Sequence, residues 1–366
     1  MLRGISLGGI IVLALLAAHA WIRSEVLWRF QLTLVTLEFG HWLALGALGF
    51  AALGMSARPV IWRPGLGLSG ITLAFVFLIP TFQASRLCPD FSWTRLCFPA
   101  ARPDVTVRTL QIEGEALQVI AYLPESPACL RPWLLMLHSG GWNGGAPDEF
   151  PEWNRELASH GIAVLSLGYR LAPKHQWPAQ RDDVKQAVVW ARAHAEELRI
   201  DPDLLVVMGR SAGGQIATAS VLGLPELEAR GCIAFYAPAD LFLARKYARK
   251  DDILNSLQLV RDYLGGDPEA QSLNYHTSSA IELIGPGTPP MLLLHGIPDT
   301  LVWVEQSRRF HRRLQEHERS SRFVELPWAT HACDYFPNTP GGQIAMQEVL
   351  RFVWEVSGAP TSTTSK

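Results

Sequence analysis

The chain has 366 residues, enough for one large domain or for a catalytic domain with an appendage. Of these, 48% are hydrophobic and only 18% charged, which is more apolar than an ordinary soluble domain and points to a membrane segment. A net charge of −2 without a long basic run speaks against a nucleic-acid partner, and five cysteines (88, 97, 129, 232, 333) with neither a CxxC pair nor a Cys/His spacing speak against a metal module.

The apolarity is concentrated at the front. Three runs, near 5–22, 32–55 and 66–82, approach the roughly 20 residues that a bilayer helix needs. They predict a transmembrane region over 1–84, followed by a juxtamembrane linker over 85–103. Arg3, the first apolar run and "AHA" at 18–20 also fit a cleaved signal peptide. The loop between runs two and three carries Arg58 and Arg63 without an acid, which favours the cytoplasmic side and sends the C-terminal part to the extracytoplasmic side. The opposing loop, with Arg23 and Arg29 against Glu25, makes that charge difference small. Cys88 and Cys97 lie just beyond the third run, where an oxidising compartment would let them close a short loop; two thiols are the other reading. Glu38 and His41 fall one helical turn apart within the second run. Ionisable groups there are costly and are functional candidates, against the plainer reading that they bond each other or a neighbouring helix.

From about residue 104 the pattern changes. Short β-rich runs ("VTVRTLQI", "LQVIAYL", "WLLML", "AVLSL", "LLVVM", "CIAFY", "MLLLH", "RFVEL") alternate, after the first two, with helix-like stretches near 150–160, 179–198, 211–222, 302–317 and 341–356. Apolar runs of about five residues between amphipathic helices predict a mainly parallel sheet covered on both faces, and the first two runs predict an antiparallel edge. The domain is expected over 104–357, with a disordered tail over 358–366.

"GRSAG" at 209–213 places Ser211 between a buried strand and a helix that starts with small residues. Gly209 and Gly213 allow strand and helix to approach around a strained turn that lifts a serine hydroxyl out of the sheet. A serine capping a helix is the alternative. Upstream, "HSGGW" at 138–142 follows another strand, and Gly140 and Gly141 can turn two amides inward as oxyanion donors, with the Ala212 amide as a third. In the order serine, acid, histidine, Asp299 lies in the turn of "HGIPDTLV" and His331 in the loop after the last strand, both at strand C-terminal ends. His331 would take the Ser211 proton, and Asp299 would fix its tautomer. Asp240 is a rival acid; His295 reads as structural, and Asp334 stands too near His331 in sequence to approach its ring easily.

From residue 104 onward the chain resembles an α/β-hydrolase of the hormone-sensitive-lipase and carboxylesterase group. The resemblance rests on "HSGGW", on "YRLAPKHQWPAQRDDVKQAVVWARAH" at 169–194, on "GRSAGG", on "HGIPDTLV" and on the histidine loop, in that order. It implies an α/β-hydrolase fold, hydrolysis of carboxylic esters through an acyl-enzyme without cofactor or metal, and oxyanion amides at Gly140, Gly141 and Ala212. It also implies that Tyr169, Arg170 and Pro173 shape the oxyanion loop, with Asp182 and Asp183 opening a helix. Two positions depart from the family pattern: Ser139 stands for the first glycine of the H-G-G-G-[FW] loop, and Ala332 for the glycine that often follows the histidine. The first raises two possibilities, a strained backbone or an added hydroxyl donor. Residues 239–267 are the expected cap or rim, with a solvated amphipathic helix as the other reading of their mixed apolar and basic character. The membrane location suggests lipid-like or lipophilic ester substrates. Acyl transfer or amide cleavage by the same triad, and a non-catalytic membrane partner that kept the fold, are the competing functions.

Overall fold

A computed structural model describes residues 1–22, 26–99, 103–112, 117–125 and 130–358. The chain divides into two compact units. One holds Met1–Ala100 together with Pro327–Gln347, the other Ala101–Leu326 together with Glu348–Lys366.

The N-terminal part of the first unit is helical: α1 (Leu2–Ala20), α2 (Leu27–Glu38), α3 (Gly40–Met55), α4 (Arg63–Leu87) and the short α5 (Trp93–Cys97). Two helical stretches, Leu2–Ala20 and Val60–Leu87, are long and apolar enough to cross a membrane, while α2 and α3 qualify only as a pair bent by 76°. The run expected as one helix over 32–55 is therefore two. The break falls at Phe39 (φ −111°, ψ 21°), next to Gly40. Glycine is a poor helix former, and here a Cβ would stand 2.3 Å from the Phe77 carbonyl oxygen, so α3 begins in backbone contact with α4. Along the same pair, a Cβ on Gly70 would lie 2.6 Å from the Ala47 carbonyl oxygen. Small residues that let helix backbones meet this closely are the usual means of association where lipid removes the hydrophobic drive. Leu15, Leu68 and Phe75, each about two-thirds exposed, point outward from this cluster. Cys88 and Cys97 are thiols, not joined to each other.

The second unit contains all eight expected strands: β1 (Thr106–Ile112), β2 (Leu117–Leu123), β3 (Arg131–Leu137), β4 (Ala163–Leu167), β5 (Ile200–Arg210), β6 (Gly231–Phe235), β7 (Met291–Gly296) and β8 (Ser321–Leu326). They form one sheet in the order β1-β2-β4-β3-β5-β6-β7-β8. The β1–β2 and β2–β4 pairs are antiparallel, and every later pair is parallel. Uninterrupted aliphatic strands such as Leu134–Leu137 and Leu205–Met208 are buried because both sheet faces are covered. The covering helices are α6 (Pro151–Ser159), α7 (Ala179–Ala193), α8 (Ala195–Leu198), α9 (Ala212–Gly223), α10 (Leu241–Tyr247), α11 (Ser256–Leu264), α12 (Ser272–Ser278) and α13 (Glu305–Glu316). The final helix, α14 (Pro340–Ser357), has its first turns in the first unit and its remainder in the second. The expected tail over 358–366 lies, beyond Gly358, outside the described residues.

The segment Pro327–Gln347 groups with the N-terminal helices rather than with the sheet from which it follows in sequence. Polar ties explain this. Glu38 accepts from the Trp328 indole (3.3 Å) and the Gly341 amide (2.9 Å), and Ser92 and Gln343 bond each other twice (2.8 and 3.1 Å). Glu38 and His41 thus each find a partner within this unit, that of His41 being the Leu96 carbonyl at 3.0 Å.

Candidate active site

Ser211 stands where β5 ends and α9 begins, with φ 52° and ψ −120°. This conformation is sparsely populated for any residue with a Cβ and stores on the order of 1–3 kcal/mol. It is held from both sides: the Ser211 amide donates to the Phe235 carbonyl of neighbouring β6 (2.9 Å), and the Ser211 carbonyl accepts the first α9 bond from Gln215 (3.1 Å). The glycines make the corner possible. A Cβ on Gly209 would stand 2.2 Å from the Gly213 carbonyl oxygen, and one on Gly213 would stand 2.3 Å from that of His138. Gly213 therefore packs the elbow helix directly onto the start of the 138–142 loop. The Ala212 amide opens α9, where the first amides lack intrahelical acceptors and the helix dipole favours negative charge.

The loop after β3 turns sharply, with φ 108° at Gly140, 60° at Gly141, 64° at Trp142 and 90° at Gly145. A Gly144 amide bond to the Gly140 carbonyl (3.0 Å) closes it. Ser139 keeps a negative φ, so serine in place of glycine adds no left-handed strain. Its hydroxyl is not an added oxyanion donor either: hydroxyl and amide both donate to Glu149 Oε2, at 2.9 and 3.0 Å. The His138 ring stacks on Tyr169 at 3.9 Å, and the Tyr169 hydroxyl donates to the His138 carbonyl at 3.0 Å. Burial holds the His138 imidazole below the usual histidine range and pushes the Tyr169 phenol up. Arg170 donates through its amide (2.8 Å) and Nε (2.7 Å) to the buried Asp183 of α7, while Asp182 pairs with Arg181 at 3.4 Å on the surface.

Gln215, one turn into α9, connects three elements. Its Oε1 accepts from the Trp142 indole (2.8 Å) and the Tyr263 hydroxyl (2.9 Å), and its Nε2 donates to the Ser278 carbonyl (2.8 Å). Trp142 and Tyr263 stack at 4.5 Å, and Leu259 lies 3.1 Å from where a Gly141 Cβ would be. Within 239–267, α11 is therefore laid over the glycine loop, as a cap or rim would be. Its outer end is fastened by Arg261 and Arg245, whose guanidiniums hold the Asp267 carboxyl down to about 2. Gln215→Leu strands two buried donors, each worth about 1–3 kcal/mol. We expect a loss of about 2–4 kcal/mol in thermal unfolding, together with lower turnover as the Trp142 end of the loop loosens.

Asp299 lies in the turn after β7. Its Oδ1 accepts from the Leu301 (2.8 Å) and Val302 (3.0 Å) amides, and its Oδ2 is 3.3 Å from His295 Nε2. His295 is also tied to Ser307 Oγ (2.8 Å) and the Val302 carbonyl (2.9 Å), a structural role in the turn. The rival acid, Asp240, caps α10 through the Leu243 amide (2.8 Å) and faces Arg309 at 3.3 Å. Because β3, β5 and β7 run parallel, the glycine loop, Ser211 and Asp299 all emerge from the same edge of the sheet.

His331 is buried and belongs to the first unit, five residues after β8 ends at Leu326. Ala332 beside it has φ 61°, which gives a physical reason for glycine at this position: an L-residue there costs about 1–2 kcal/mol. Ala332→Gly is expected to raise stability by up to about 1 kcal/mol, less than the strain because glycine also frees the unfolded chain. A shift of the urea midpoint to higher concentration checks this.

Three residues here carry no local signature. Glu149 and Gln215 are recognisable only through their partners. Arg210, the variable position of "GRSAG", is buried against Phe150, Trp153 and Phe235, with its guanidinium 4.1, 4.7 and 5.6 Å from their ring centres.

The BD-FAE family model matches residues 120–314, more than half of the chain. The chain belongs to the BD-FAE family. Among curated proteins the chain is similar to the probable carboxylic ester hydrolase LipM of Mycobacterium tuberculosis, 28% identical over 62% of this chain and 54% of its own. Esterase LipC of the same organism is 31% identical over 61% of this chain and 57% of its own. The chain thus spans little more than half the length of these relatives. Among solved structures, a bacterial heroin esterase superposes with a TM-score of 0.62 over 72% of this chain and 88% of its own at 22% identity. The propionate-bound Est2 esterase of the Planctomycetes species Thermogutta terrifontis gives 0.57 over 72% and 98% at 25% identity. This BD-FAE member therefore has the α/β-hydrolase fold.

Proposed function

We propose that this BD-FAE protein is a membrane-anchored serine hydrolase of carboxylic esters, with Ser211 as nucleophile, His331 as general base and Asp299 as its orienting acid. The observation that carries the reading is the backbone of Ser211: a serine held at φ 52° between two glycines that admit no side chain. A helix cap has no need of that strain, whereas a nucleophile lifted out of the sheet does. Ser211 Oγ attacks the ester carbonyl carbon while its proton passes to His331, and negative charge develops on the carbonyl oxygen facing the amides of Gly140, Gly141 and Ala212. Collapse expels the alcohol, which takes the proton from His331. Water, deprotonated by the same histidine, then hydrolyses the acyl-enzyme and restores Ser211. Esterase names among the relatives and a propionate-bound neighbour support ester substrates with small acyl groups.

The anchor is assigned to α1, α4 and the bent α2–α3 pair, with Arg58 and Arg63 on the cytoplasmic side and the hydrolase unit outside. A reporter enzyme that is active only outside the cytoplasm, fused after α4, is expected to be active; an inactive, expressed fusion reverses the orientation. Full-length protein in nanodiscs is expected to release p-nitrophenol from the acetate and butyrate esters. Partition of the acyl group to added methanol with little free acid would favour acyl transfer, and no turnover by folded protein would remove the reading.

A further inference from the structure

Glu38 is the feature of the N-terminal unit that anchoring alone leaves unexplained. A carboxyl group costs several kcal/mol in an apolar helical region unless it is fully partnered, and such residues persist where they do something. Glu38 closes α2 at the 76° break, is 2% exposed, and points both oxygens at one segment of the same unit. One oxygen accepts from the Trp328 indole at 3.3 Å, three residues before His331; the other accepts from the Gly341 amide at 2.9 Å, ten residues after it. Trp328 is wholly buried, and Gly341 lies in the first turn of α14, where an acceptor is favoured by the free amides and the dipole. One side chain thus closes both ends of the histidine loop. Neighbouring ties reinforce the clamp: Phe39 meets Phe336 edge-on at 5.3 Å, Ser92 pairs twice with Gln343, and Asp90 bonds Gln347. Inside the clamp the loop is pinned by the Tyr335 amide on the Ala332 carbonyl (3.0 Å) and by Thr339, whose hydroxyl bonds the Phe336 carbonyl (2.9 Å) and the Gly342 amide (3.2 Å).

We propose that Glu38 is a positioning residue for His331, so that the membrane region fixes the catalytic base as well as anchoring the enzyme. This rests on the reading of His331 as general base. The carboxyl group does not touch substrate; it sets where the imidazole sits. A displacement of about 1 Å in a catalytic group is worth up to about 100-fold in rate.

The test uses full-length protein in nanodiscs, with turnover expressed per site titrated by a fluorophosphonate so that unfolded molecules do not count. Glu38→Gln keeps one acceptor and opposes an amide N–H to the other donor. It is expected to lower kcat and the rate of fluorophosphonate labelling together by about 10- to 100-fold, with KM within about threefold and the final labelled fraction unchanged. Glu38→Asp, which retains both acceptor oxygens, recovers part of the loss. Trp328→Phe removes one donor from the other side, reads the same clamp if Glu38→Gln does not accumulate, and is less than additive with it. Wild-type turnover per titrated site in Glu38→Gln and Trp328→Phe overturns the proposal, even if both melt at lower temperature. His331→Gln separates the two levels: if it is inactive while the Glu38 variants are normal, only the positioning role fails; if it is active, the assignment of the base fails.

Discussion

Ser211→Ala is expected to lower kcat for p-nitrophenyl acetate by about 10⁴- to 10⁶-fold, the range seen when a triad nucleophile is removed. The protein should fold as before, because alanine inherits the backbone bonds that hold the corner. These are the bonds of its amide and carbonyl to Phe235 and Gln215. Ser211→Gly distinguishes strain from side-chain packing. It should be equally inactive yet more stable by on the order of 1 kcal/mol, since glycine adopts a positive φ without penalty. The two variants together ask whether stability has been given up at this residue for chemistry. Equal activity in wild type and Ser211→Ala would leave the strained elbow without a function.

Gly213→Ala should be among the most disruptive single-methyl additions in the hydrolase unit. The new Cβ would lie 2.3 Å from the His138 carbonyl oxygen and 2.4 Å from that of Leu137, both backbone atoms at the end of a buried central strand. Neither can move without breaking the β3 ladder or the Tyr169 bond to His138. Relief must come from shifting α9, which carries Ser211 at its head and Gln215 in its first turn. We expect a loss of about 3–5 kcal/mol, the upper range for overpacking, and turnover reduced in whatever protein remains folded. Gly223→Ala, at the far end of the same helix, meets nothing closer than 3.6 Å and is the control that should be nearly silent.

What could be read from the sequence was local. Each central strand is a short aliphatic run between turn signals, and Ser211 announces itself because its elbow needs glycines two residues to either side. The break at Phe39 was hidden because a hydropathy run averages over the single turn where Gly40 meets the Phe77 backbone. Glu38 could be flagged as costly, yet its partners lie 290 and 303 residues away, a pairing that no spacing rule reaches. Gln215 is similar: its ties to Trp142, Tyr263 and Ser278 join segments 48 to 73 residues apart. Ser139 shows the opposite limit. The motif departure was visible, but whether it strained the loop or armed it depended on Glu149, which takes both its hydroxyl and its amide. Ala332 was likewise visible as a departure, and only its φ of 61° shows what glycine would relieve there.

If Ser211 is an activated nucleophile, it must react covalently with an electrophile aimed at serine hydrolases. The most direct measurement is intact and peptide mass spectrometry of the full-length protein after reaction with a fluorophosphonate. One adduct per chain is expected, on the peptide containing Ser211, formed in wild type and absent from Ser211→Ala. A folded wild-type protein that takes no adduct, or takes it on a residue other than Ser211, would contradict Ser211 as the nucleophile.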